Sequence, residues 1–233
     1  GVEPYAKDDA RVTALQDMPL SSTQANNNLW QDEGGTSMRA LGYFIGAFVI
    51  ALLLGIGSAW YMIERGSLLT TTRIGPWTSW LSEGNPNADP YTRAHLARSG
   101  RLPLSSTAAR YFTASTDSSG SQLSAGCEYI ISGAPLNARW WSLALYDARG
   151  SIIPNPSNRY SFNSEEAIRR SDGSYEVHLS RNARPGNWLP TGRDSDRRLT
   201  LMLRIYGPRD TDASGIGQIL PESLPRIERK ECA

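Results

Sequence analysis

Aromatic rings interleaved with amides and guanidinium groups are the equipment of a polar-ligand site. A ring stacks on a sugar or other planar face, while Asn and Arg donate and accept hydrogen bonds. The chain holds such a set. Trp140 and Tyr146 lie in RWWSLALYD, and Asn155, Asn158, Arg159 and Tyr160 follow in the next segment. Asn187 and Trp188 lie in NWLP, and Arg204 and Tyr206 in LRIYGP. The same residues have a structural reading, in which one tryptophan faces the core, the asparagines brace turns through their own backbone, and Arg204 pairs internally with Asp147. Both readings stay open at this level.

Catalytic chemistry is less well marked. A serine nucleophile needs a neighbouring base, yet no G-x-S-x-G occurs and only His95 and His178 are present. Carboxylates such as Glu128 and Asp147 would suit glycoside hydrolysis, but their separation is not readable from sequence. Two cysteines and two histidines, none in ligand spacing, argue against a metal site, and no cofactor motif is seen. Enzyme status stays open.

The elements that must carry these side chains are legible from periodicity. A helix is predicted over 90–99, with Asp89 as cap, Pro90 in its first turn and Gly100 just past its end. His95 there reads as a packing residue. From Arg110 the period becomes two, and six or seven short strands separated by turns run to Tyr206, with a brief helix at Ser164–Glu166. They predict an all-β domain, an antiparallel β-sandwich or jelly-roll-like fold. Alternation places Trp141, Leu143 and Leu145 on the core face, with Leu199, Leu201, Leu203 and Ile205. Trp140, Tyr146, Arg204 and Tyr206 are then expected together on the other face.

Ahead of these strands, Leu41–Ile63 is uncharged for 23 residues, enough to cross a bilayer core of about 30 Å. Trp60 and Tyr61 suit the headgroup level. A single anchor and a signal peptide cut near Gly57-Ser58-Ala59 are both open, and apolar character running on to Ile63 favours the anchor. Gly42, Gly46, Ala47, Ala51, Gly55 and Ala59 offer a small-residue face for a second copy. The net charge is +1 with scattered basic residues, which speaks against nucleic acid. Residues 1–37, with two basic and six acidic groups and no periodicity, read as disordered. Cys127 and Cys232 suggest one disulfide in an exported domain, or else two buried thiols. The disulfide and the size of the C-terminal part favour an inner-membrane protein with that part in the periplasm, although Arg65 and Arg73 weigh the other way.

Four segments, ARWWSLALYD, IPNPSNRYSF, NWLP and LRIYGP, occur in an order and spacing that resembles the bacterial family called domain of unknown function 1214. The resemblance covers roughly Tyr111 to Glu228. It implies an all-β, jelly-roll-like domain outside the inner membrane, in a short branch lacking the domain of unknown function 1254 that precedes it in many relatives. It brings no reaction and no catalytic residue. The organisation expected is a disordered segment 1–38, an anchor 39–64, a linker with a short helix 65–109 and a β domain 110–233. The expected function is a membrane-anchored envelope protein that binds a ligand, glycan or protein partner, with a periplasmic hydrolase of glycans or esters as the alternative.

Overall fold

A computed structural model describes residues 33–208 and 224–232. Most of the segment expected to be disordered, residues 1–32, lies outside them. The chain divides into two units, 1–57 and 58–233. Helix α1 (Glu33–Arg65) carries the apolar run, and its stretch Ser37–Arg65 is long and apolar enough to cross a membrane.

The second unit is mostly β, with one short helix, α2 (Pro90–Ser99). Its strands are β1 (Thr71–Ile74), β2 (Trp77–Trp80), β3 (Ala109–Ala114), β4 (Cys127–Gly133), β5 (Ala138–Asp147), β6 (Ser161–Asn163), β7 (Tyr175–Ser180), β8 (Asn187–Pro190), β9 (Leu199–Pro208) and β10 (Arg226–Cys232). They form a six-stranded sheet in the order β1-β2-β3-β9-β5-β6 and a four-stranded sheet β10-β4-β7-β8.

Period-two burial decides which face each strand turns inward. Leu199, Leu201, Leu203 and Ile205 on β9 are at most 2% exposed, and Trp141, Leu143 and Leu145 on β5 at most 3%. From the smaller sheet, Tyr129, Ile131, Val177, Leu179, Leu189 and Ile227 join the same cluster. Trp141 of β5 stacks on Tyr175 of β7 at 4.5 Å between ring centres, which ties the two sheets through one core. Gly133 lies beside that stack, where a Cβ would come within 2.5 Å of the Tyr175 ring.

Several details depart from expectation. The pairing is not wholly antiparallel: β7 and β8 run parallel, because the chain doubles back over Arg181–Gly186 before pairing again. The stretch read as linker contains the β1–β2 hairpin, turning at Gly75 (φ +57°) and joined to β3. Its buried Trp77 donates from Nε1 to the Pro225 carbonyl at 2.7 Å. Residues 164–166 form a turn, not a helix. The expected disulfide, by contrast, is present: Cys127 and Cys232 are register partners on β4 and β10 and are joined, with Cα atoms 3.9 Å apart.

Candidate functional site

The outward face of the six-stranded sheet forms the floor of a cleft of about 670 Å³. Register places Arg204 of β9 directly between Tyr111 of β3 and Ser142 of β5, and Tyr206 between Ala109 and Trp140. Arg204 is half-buried, and its Nη2 donates to the Tyr146 hydroxyl at 3.0 Å. Among the described residues it has no carboxylate partner. Asp147 instead accepts from the Arg149 and Ser151 backbone N–H groups and stands 3.8 Å from the Arg149 guanidinium. The internal Arg204–Asp147 pair weighed from sequence therefore does not form. Trp140 tilts against Tyr206 with ring centres 5.1 Å apart.

The wall is built by α2 and the loop after it. Asp89 caps the helix, accepting from Thr92 N at 2.9 Å, and Gly100 ends it in the left-handed conformation, so the chain leaves across the sheet. That loop is held at two points. The Leu104 N–H donates to the Tyr111 hydroxyl at 2.9 Å, and Ser106 N donates to Gly84 O at 3.1 Å. Gly84 has φ +79°, and a Cβ there would stand 2.1 Å from the Leu104 carbonyl oxygen, so the loop can lie here only over a glycine.

Two titratable groups of this wall are perturbed. Glu83 is 5% exposed, and burial pushes its carboxyl up to about 7, while Arg101, 4.0 Å away, pulls the other way. His95 is held below the usual imidazole range by burial, against the pull of its hydrogen bond to the Ile63 carbonyl. Because a carbonyl only accepts, that 2.9 Å bond puts the proton on Nδ1 and leaves Nε2 as the basic nitrogen. The imidazole also stacks on Trp80 at 4.1 Å, in keeping with a packing role.

The ten residues proposed from sequence separate into two groups. Tyr146, Arg204 and Tyr206 line the cleft, and Trp140 stands behind Tyr206. The other six do not line it. Asn155 is buried and braces its own turn through the Ile153 and Arg159 carbonyls and the Arg159 N–H. Asn158 adopts φ +48° and accepts from the Tyr160 hydroxyl. Arg159 lies over Phe162 at 5.3 Å. Asn187 bonds both backbone groups of Ile168 and the Glu176 carbonyl, and Trp188 donates to Ser180 O. His178 lies in a separate hollow with Glu128 and Arg184. The sequence reading missed Glu83, Arg101 and Tyr111, of which only Tyr111, on an alternating strand, carried a signal.

The class of protein defined by these features is a two-sheet β domain with an aromatic and basic cleft, following a helix apolar enough to be a membrane anchor. Residues 108–210 match the family described as Protein of unknown function (DUF1214), so the resemblance carried by the four segments holds over that range. The cleft floor lies inside the match and its α2 wall outside it. The chain is similar to the crystal structure of the VPA0106 protein from Vibrio parahaemolyticus, with 25% identity and a TM-score of 0.48, over 62% of this chain and 36% of that one. It is also similar to an uncharacterised protein from Burkholderia cenocepacia, with 19% identity and a TM-score of 0.35, over 54% of this chain and 30% of that one. The chain thus spans about a third of the length of these structures. No curated protein matches it.

Proposed function

We propose that this is a membrane-anchored envelope protein whose β-sandwich, jelly-roll-like domain faces the periplasm and binds a small anionic ligand without transforming it. An acidic glycan is the class best suited. The observation that carries this reading is Arg204, a half-buried guanidinium on the cleft floor whose partner among the described residues is a neutral phenol. Its charge is therefore available to a carboxylate or phosphate, while Tyr146 and Tyr206 supply rings beside it. The Cys127–Cys232 disulfide supports an oxidising compartment, and hence an outward-facing domain. Self-association through the small-residue face of α1 belongs to the same reading.

Calorimetry on the full chain in detergent micelles, with trigalacturonate against maltotriose, tests the ligand class. Binding of the acidic sugar alone, lost in Arg204→Ala, supports it. Equal binding of both sugars, or of neither, overturns it.

Glu83 favours a second reading. A carboxyl poised near neutral pH in a cleft suits a general acid, as the hydrolase alternative requires. Release of product from a glycan or ester, abolished by Glu83→Gln, would displace the non-catalytic reading.

A further inference from the structure

Three leucines close in sequence to the end of α1 or to its partner Arg98 are almost wholly open to solvent. Leu68 is 97% exposed, Leu69 85% and Leu102 96%, although burying a leucine is worth about 1.5–3 kcal/mol. Single exposed leucines are ordinary, but each of these three stands within five positions of one partner of the Glu64–Arg98 ion pair at the end of α1. Leu68 and Leu69 follow Arg65, the last residue of α1, by three and four positions across the Gly66 turn. Leu102 follows Arg98 by four, and Arg98 pairs with Glu64 at 2.5 Å while its guanidinium lies 4.1 Å over the Trp60 ring. At about 3.3–3.6 Å per residue, each leucine is within roughly 15 Å of Arg65 or Arg98. Arg65 and Arg73, flanking the same turn, are exposed and have no ion-pair partner among the described residues.

Leucines almost wholly open to solvent, an aromatic pair at Trp60 and Tyr61 and arginines without counter-charge are ill suited to water and well suited to a headgroup layer. There the aliphatic chains reach acyl carbon and the guanidinium groups meet phosphate. We propose that the turn Ser67–Leu69 and the loop Arg101–Leu104 form a second membrane contact, which lays this corner of the β domain on an anionic bilayer surface. The proposal rests on the reading of α1 as an anchor, whose headgroup-level end is continuous with this surface. Because the 101–104 loop also walls the cleft, the contact would hold the cleft at the lipid surface.

The test uses the native disulfide, which leaves an introduced cysteine as the sole thiol. Leu69→Cys, Leu102→Cys, Leu53→Cys in α1 and Ile168→Cys, an exposed control on the β domain, each carry an environment-sensitive fluorophore. The full chain is placed in nanodiscs of phosphatidylcholine with or without phosphatidylglycerol, containing nitroxide-labelled lipid. Labels at Leu53, Leu69 and Leu102 should be quenched several-fold more than at Ile168, with phosphatidylglycerol strengthening quenching at Leu69 and Leu102. Quenching at Leu53 with Leu69 and Leu102 like Ile168 overturns the contact and leaves the anchor standing. An unquenched Leu53 overturns the anchor and this proposal with it.

Discussion

Arg204 of β9 and Tyr146 of β5 are joined by a 3.0 Å hydrogen bond, while Asp147, the next residue, is spent on its own turn. The only basic side chain on that stretch of β9 thus faces the cleft without a carboxylate partner among the described residues. Arg204→Ala should leave stability within about 1 kcal/mol, since one hydrogen bond to a neutral, partly exposed partner is lost. Affinity for an anionic ligand should fall roughly 10- to 100-fold, the value of a charge-assisted bond. Thermal melting beside calorimetry checks both. A melting temperature lower by many degrees would make Arg204 structural.

Glu83 sets a pH dependence. Its folded carboxyl, at about 7, lies above the ordinary value of 4.5, so the folded state holds the proton more tightly. The contribution is present in full below the lower value and is lost as pH rises through the higher one. From pH 5 to 8 this amounts to roughly 2–3 kcal/mol. Urea midpoints should therefore fall with pH in the parent, and the fall should be smaller in Glu83→Gln, which should also be the more stable at pH 8.

The disulfide links positions 105 apart. In the chain-entropy view that closure is worth up to about 4–5 kcal/mol. Cys232→Ser should cost several kcal/mol, and a reductant should lower the urea midpoint of the parent but not of the variant.

Asn187 separates scaffold from site. It is 4% exposed and holds Ile168 and Glu176 through three backbone contacts. Asn187→Ala should destabilise by about 2–3 kcal/mol, as buried backbone groups lose their partner. Ligand affinity measured below the melting temperature should not change.

The chain by itself determined what period and capping can carry. Successive strand side chains point to opposite faces, so the leucines of β9 and the Trp141–Leu145 set declared the core, and Arg204, Tyr206, Tyr146 and Trp140 followed to the other side. Asp89, Pro90 and Gly100 likewise marked α2 to the residue, because their roles are local. Which strands become neighbours was not readable. Backbone pairing carries little side-chain code, and only the fold brought β3 beside β9, turned β8 parallel to β7 and added β10 at the far edge. The asparagines show the same limit, since Asn187 is committed by Ile168 and Glu176, which reach it from 19 and 11 positions away. Glu83 shows it most sharply. Its neighbours in the sequence, SEGNP, are polar or turn-forming and carry no mark of burial, and its carboxyl is buried where Gly84 lets a loop from twenty residues onward close beside it. Burial is a property of everything that packs against a group, and for Glu83 the tertiary structure alone supplied it.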